Sequence, residues 1–240
     1  GAPVISVMMV YDKPPFAIIG RKSLGINGPA DLEGSTLGAP PPDGAWAQFP
    51  SFAKANGIDV GKIKVEPVGF PTREPMLAEG KVDSVTGFSF SSFLNLVRLG
   101  VPESDITTIL MADYGLKLYG NAVIVNTDFA KDNPDVVKKF VVALGAGWKD
   151  AINDPKAAIA ALVKRNPAAD SALEQRRLEL AIKANVLSDY VKANGMGGIE
   201  KNRFDAAIQQ LAETYKYKNK PDSRLYYTDA YLPAGGVKLN

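Results

Sequence analysis

Asp31-Leu-Glu-Gly-Ser-Thr-Leu-Gly-Ala39, running into the turn Pro40-Pro-Pro-Asp-Gly-Ala-Trp46, opens the stretch that decides the fold. It continues through Ile63-Lys-Val-Glu-Pro-Val68, Gly69-Phe-Pro-Thr-Arg-Glu74 and Val82-Asp-Ser-Val-Thr86 to Gly87-Phe88. Short apolar runs bounded by Gly and Pro read as strands, and the segments between them carry helical spacing. Asp31 to Phe88 is therefore strand, helix, strand, helix, strand, with Phe49, Phe52 and Ala53 turned toward a core. In an open α/β sheet, ligands bind outside the carboxyl ends of the strands. Those three ends carry Asp43, Gly44, Trp46, Phe70, Arg73 and Phe88. The set suits a small planar or anionic ligand, and it reads as a binding mouth before a catalytic one.

Three prolines stiffen the approach to Trp46, and Asp43 or Gly44 can cap the helix that follows. Backbone N–H groups at that helix start can receive an anionic or carbonyl oxygen, while Trp46 offers a flat apolar wall. The competing reading is a rigid turn with Trp46, Phe70 and Phe88 in the core and Arg73 a surface residue at a helix start.

At 240 residues the chain can bury a substantial core in one large or two small domains. Its net charge of +2 gives no argument for a nucleic-acid partner. The cluster Tyr215-Lys-Tyr-Lys-Asn-Lys220 reads as a solvated turn. Cysteine and histidine are both absent, so no disulfide, thiol nucleophile or histidine general base exists in this sequence. No cofactor or metal is expected. Zero cysteine also fits an oxidising compartment.

Elsewhere, Val4 to Tyr11 reads as a buried strand, Phe16 to Ile19 as a second, and Pro29 to Glu33 as one helical turn. Ser91 to Leu99 is a helix, with Ile106 to Met111 and Tyr119 to Val125 as further strands. From Asn126 the pattern turns helical. Asn133-Pro134 caps a helix with Val137, Phe140, Val141, Leu144, Trp148 and Ile152 on one stripe. Gly145 and Gly147 inside it imply close packing against a neighbour. Further helices are expected from Asp154-Pro155 to Asn166, from Ser171 to Ala193 and from Asn202 to Tyr215. Tyr226 to Pro233 reads as an extended strap.

Gly87-Phe-Ser-Phe-Ser91 lacks the second glycine of a nucleophile elbow, and no histidine can serve as base. Gly195-Met-Gly-Gly198 lies between helices rather than after a strand, so it is a turn and not a dinucleotide fingerprint. No carboxylate spacing marks a metal site or a glycosidase pair.

Taken in order, these pieces resemble the periplasmic substrate-binding proteins of ABC importers, specifically the nitrate/sulfonate/taurine-type binders and their thiamine-pyrimidine-precursor relatives. Gly25-Ile-Asn-Gly-Pro-Ala-Asp-Leu-Glu-Gly-Ser-Thr-Leu-Gly38 is similar to the family's G-I-x-x-P-x-D-L-x-G-K-x-I-G, departing at Ser35 and Leu37. Met76-Leu-Ala-Glu-Gly-Lys-Val-Asp-Ser-Val-Thr-Gly87 is similar to L-x-x-G-x-V-D-A-V-x-G, with Ser84 for the alanine. Tyr119-Gly-Asn-Ala-Val-Ile-Val125 and Asn133-Pro134 resemble the return to the first lobe. The family's opening βαβαβ unit is missing, about 60 to 90 residues at roughly 30 per βαβ unit.

The resemblance implies an α/β, two-lobed, type II periplasmic-binding-protein-like clamshell whose first lobe is truncated at its amino terminus. Residues 34–120 would form the second lobe, with 1–33 and 121–240 the incomplete first lobe. Asp43, Gly44, Ala45, Trp46, Phe70, Phe88, Tyr119 and Asn121 would face a ligand between the lobes, with Arg73 the one nearby cation. Aromatics outnumber cations in that set, which favours a pyrimidine-like heterocycle over a sulfonate or nitrate. The implied partners are a small-molecule ligand and the membrane permease of an importer. The implied location is the periplasm, or a lipid-anchored extracytoplasmic position. An enzyme resembling the fungal pyrimidine-precursor synthases would need histidine, pyridoxal phosphate and a cysteine motif. A sensor or scaffold domain is a third reading. Stripped of its opening strands, the first lobe would expose strand edges, led by Val4 to Tyr11, and self-associate through them.

Overall fold

A computed structural model describes residues 2–239 of the chain. It divides into two units, one comprising Gly1–Pro14, Leu118–Glu213 and Tyr217–Asn240, the other Pro15–Lys117 and Thr214–Lys216.

The second of these units contains a five-stranded sheet. Its strands are β2 (Phe16–Arg21), β3 (Thr36–Ala39), β4 (Lys64–Pro67), β5 (Ser84–Phe88) and β6 (Ile106–Leu110), in the order β4-β3-β5-β2-β6. β3 runs parallel to β4 and β5, whereas β2 runs antiparallel to β5 and β6. Helices α1 (Gly44–Ala55), α2 (Arg73–Ala78) and α3 (Ser89–Arg98) connect the strands. Strand alternation sends Ala17 and Ile19 of β2 to one face, where they pack with Val85, Leu77 of α2 and Leu96 of α3. α1 packs against β2 and β5 and buries Phe49, Phe52 and Ala53 completely.

This arrangement moves the expected lobe boundary. Phe16 to Arg21, placed by the sequence in a first lobe of residues 1–33, instead pairs on both edges inside the five-stranded sheet. The units part at Pro14/Pro15 and at Lys117/Leu118 rather than at 33/34 and 120/121. Pro14 and Pro15 have no N–H to donate and break any ladder, while Ala17-Ile-Ile19 is fully buried and suits a strand with neighbours on both sides.

In the other unit β1 (Val4–Met9) pairs antiparallel with β7 (Ala122–Asn126) in a two-stranded sheet. The strap runs beside the free side of β1. Ser6 N–H donates to the Tyr226 carbonyl at 3.0 Å, Thr228 N–H donates to that of Ser6 at 2.9 Å, and Met9 bridges to Gly197. The edge expected to be bare on Val4 to Tyr11 is therefore partly covered by the chain's own tail. Around the sheet lie α4 (Thr127–Asp132), α5 (Pro134–Asn153), α6 (Pro155–Arg165), α7 (Ser171–Ala181), α8 (Asp189–Asn194) and α9 (Lys201–Thr214). The single helix expected over 171–193 is broken. α7 widens into a π-turn at Ile182–Val186, and Ser188 then caps α8 by accepting the Val191 N–H. The buried side chains of this unit include Val7, Met8, Val137, Val141, Val186, Met196 and Val237.

The α5 stripe is only partly as expected, because Phe140 is 55 % exposed while Val137 and Val141 are buried. Its two glycines also differ. A Cβ on Gly145 would lie 2.5 Å from the Val237 side chain, whereas one on Gly147 would meet nothing within 4 Å. Gly147→Ala should therefore stabilise the protein by roughly 0.5–1 kcal/mol through helix propensity. Gly145→Ala should destabilise it by about 1–3 kcal/mol through overpacking. Urea unfolding of the two variants checks the opposite signs.

Candidate functional site

The three parallel strands deliver their carboxyl ends to loops that meet around one carboxylate. Asp43 caps α1, with its Oδ1 accepting the Ala45 N–H at 3.1 Å and its backbone carbonyl accepting that of Ala47. Its other oxygen accepts the Thr86 hydroxyl of β5 at 2.7 Å and lies 3.5 Å from Arg73 Nη1 of α2. Asp43 is only 4 % exposed. A buried carboxylate survives only with such partners, and here they come from α1, β5 and α2.

Arg73 is the counterpart. Its Nε and Nη2 donate to Glu74 Oε1 at 3.1 and 2.7 Å, and Nη2 also donates to Ser92 Oγ at 3.1 Å. Its guanidinium carbon sits 5.6 Å from the Phe70 ring centroid. The residue is buried, not the exposed helix-start cation that was the competing reading. Gly87 makes this closeness feasible, since a Cβ there would fall 2.2 Å from Ser92 Oγ and 3.4 Å from the Arg73 guanidinium.

Aromatic residues flank this polar core in sequence, and Phe70 touches it through Arg73. Phe70 and Phe88 are 49 % and 37 % exposed, so neither is a core aromatic. Trp46 is half-buried and stacks on Phe49 at 5.5 Å. Ala45 is fully buried, leaving its backbone as its contribution. Phe16, which the sequence reading missed, pairs with Phe88 across β2 and β5, with ring centroids 6.0 Å apart. A Cβ on Gly44 would lie 3.1 Å from the Phe16 ring. The only signal for Phe16 was its place straight after Pro14-Pro15. Ser89, at the start of α3, has a buried hydroxyl without a hydrogen-bond partner.

Tyr119 and Asn121 belong to the other unit. Tyr119 Oη accepts the Glu200 N–H at 2.8 Å, and its ring lies 4.0 Å beneath the Arg203 guanidinium. Burial pushes its phenol pKa up. Asn121 is exposed, and its carbonyl accepts the N–H groups of Val10 and Tyr11 at 2.9 and 3.0 Å. Among the described residues, no group of three or more His, Cys, Asp or Glu is placed to hold a metal.

Because Asp43 ties three elements, Asp43→Ala should lower unfolding free energy by about 3 kcal/mol or more, leaving Arg73 with one carboxylate and α1 without its cap. Thr86→Val should cost about 2 kcal/mol, the loss of one hydrogen bond to a buried charge. Chemical denaturation of both variants gives the comparison.

Comparison with known proteins gives these features a family. Residues 1–158 match the family described as NMT1/THI5 like. The chain is 28% identical over 156 residues to the riboflavin-binding protein RibY of Chloroflexus aurantiacus, covering 65% of this chain and 43% of that protein. It is 23% identical over 211 residues to the formylaminopyrimidine-binding protein of Halalkalibacterium halodurans, covering 87% of this chain and 63% of that one. It thus spans about half the length of these curated relatives. The fold is that of the periplasmic aliphatic sulphonate binding protein of Escherichia coli, at a TM-score of 0.72 and 12% identity over 94% of this chain and 69% of that one. With well over half of its residues matched, the chain belongs to the NMT1/THI5-like family.

Proposed function

We propose that this chain is the substrate-binding part of an ABC importer and that it captures a small planar heterocycle of the pyrimidine type without transforming it. The observation that carries the choice of ligand is the engagement of Arg73. Its guanidinium contacts Asp43, Glu74 and Ser92 and its side chain is 11 % exposed. An oxyanion arriving there would meet two carboxylates for one cation. The exposed surfaces of the same cluster are rings, Phe70 and Phe88, with half-buried Trp46 nearby in sequence. Aromatic faces recognise flat heterocycles by stacking. Both curated relatives are named as binders of such compounds, which supports the same reading.

In this proposal Asp43, Gly44, Ala45, Trp46, Phe70, Arg73 and Phe88 form or support the ligand surface of one unit, and Tyr119 and Asn121 supply a separate surface on the other. The oxyanion alternative rests on the fold shared with a sulphonate binder, and a fold hosts many ligands. An importer component would work outside the cytoplasm beside a membrane permease. Among the described residues no helix is long and apolar enough to cross a membrane.

Calorimetry with a formylaminopyrimidine, riboflavin, an alkanesulfonate and nitrate tests the reading. A heterocycle should bind, and Trp46→Ala should weaken it by roughly tenfold or more, as loss of an aromatic anchor does. Binding of the sulfonate or nitrate alone, with Trp46→Ala neutral, would establish the oxyanion reading instead. Turnover of a heterocycle would establish an enzyme.

Self-association of a polypeptide of this length is a further part of the proposal. β7 has one strand neighbour in its sheet, and Ile124, Val136 and Phe140 of the same unit are 61 %, 54 % and 55 % exposed. Edges and apolar surface of this kind favour pairing with another copy. Light scattering over a dilution series should show a mass that falls on dilution. A constant monomer mass would remove this part.

A further inference from the structure

Two chain segments of the first unit run side by side near Tyr119, and one side chain grips both. Gly120 N–H donates to the Tyr11 carbonyl at 2.9 Å, and the Asn121 carbonyl takes the N–H groups of Val10 and Tyr11. Their contact is close enough that a Cβ on Gly120 would fall 2.6 Å from that of Tyr11. Arg203 reaches them from α9. Its Nη1 donates to Asp12 Oδ1 at 3.0 Å, and its Nη2 donates to the backbone carbonyls of Asp12 and Leu118, the latter at 2.8 Å. The same guanidinium covers the Tyr119 ring.

We infer that Arg203 is a positioning residue for ligand recognition, fixing where Tyr119 and Asn121 stand. The inference rests on the reading of those two residues as ligand-contacting. Only a planar fork can meet a carboxylate, two carbonyls and a ring face at once; the lysine ammonium, a point charge on a flexible stem, can satisfy the carboxylate but not the whole set. A partly buried ion pair such as Arg203–Asp12, with side chains 18 % and 4 % exposed, is a weak source of stability compared with apolar packing. Its value lies in geometry. The Glu200 N–H holding Tyr119 Oη sits just before α9, so the helix that carries Arg203 constrains the ring at its face and at its hydroxyl.

The experiment compares the parent chain with Arg203→Lys and Arg203→Met, measuring melting temperature, affinity for a formylaminopyrimidine, and the fluorine resonance of 3-fluorotyrosine placed at position 119. Arg203→Lys keeps the charge beside Asp12 and should melt close to the parent. It should nevertheless bind roughly tenfold more weakly, a stacked and forked contact having been lost, and its position-119 resonance should broaden or split. Parent-like affinity with a single sharp resonance in Arg203→Lys would overturn the inference and leave Arg203 a structural tie. If Arg203→Met does not fold, Asp12→Asn replaces it, with intermediate loss expected and parent-like values counting against the inference. Should the parent bind no heterocycle, the proposed function fails. The resonance measured without ligand then decides alone, broadening in Arg203→Lys upholding the fixing of Tyr119 and an unchanged sharp line overturning it.

Discussion

The buried carboxylate of Asp43 is the constraint around which the carboxyl-terminal end of the parallel strands β3, β4 and β5 is built. A charge this far from water has to be matched by donors, and the chain supplies the Ala45 N–H, the Thr86 hydroxyl and the Arg73 guanidinium. Those donors sit on α1, β5 and α2. Satisfying one side chain therefore fixes the relative placement of α1, α2 and β5. Ser92 extends the network into α3 through Arg73.

This arrangement has a chemical consequence. The Arg73 guanidinium is matched by Asp43 and Glu74, while the rings of Phe70 and Phe88 on the neighbouring loops stay partly exposed. Membership of the NMT1/THI5-like family is carried by residues 1–158, which include the whole of this network.

The other unit solves a different problem. Two strands cannot bury a core by themselves, so β1 and β7 depend on the helices α4 to α9 and on the returning tail. Gly145 admits Val237 to the surface of α5, and Met196 and Val237 exchange backbone hydrogen bonds. Arg203 performs in this unit the role that Asp43 performs in the other, drawing separate segments to one partly buried charge.

Much of this was legible in the residues themselves. The strand–helix order from Thr36 to Phe88, the cap at Asp43 and the burial of Phe49 and Phe52 follow from local patterning, because period, prolines and capping residues act over a few positions. The motifs that carried the resemblance named the family for the same reason. Tertiary structure alone decided the rest. Ala17-Ile-Ile19 reads as a buried strand in either unit, and only pairing with β5 and β6 assigns it. Nothing around Arg73 says that its charge will be matched by Asp43, thirty positions earlier, and nothing near Gly145 and Gly147 says that Val237 will press on only one of them. Local sequence fixes the conformation of a segment; which distant atoms come to lie against it depends on how the whole chain packs.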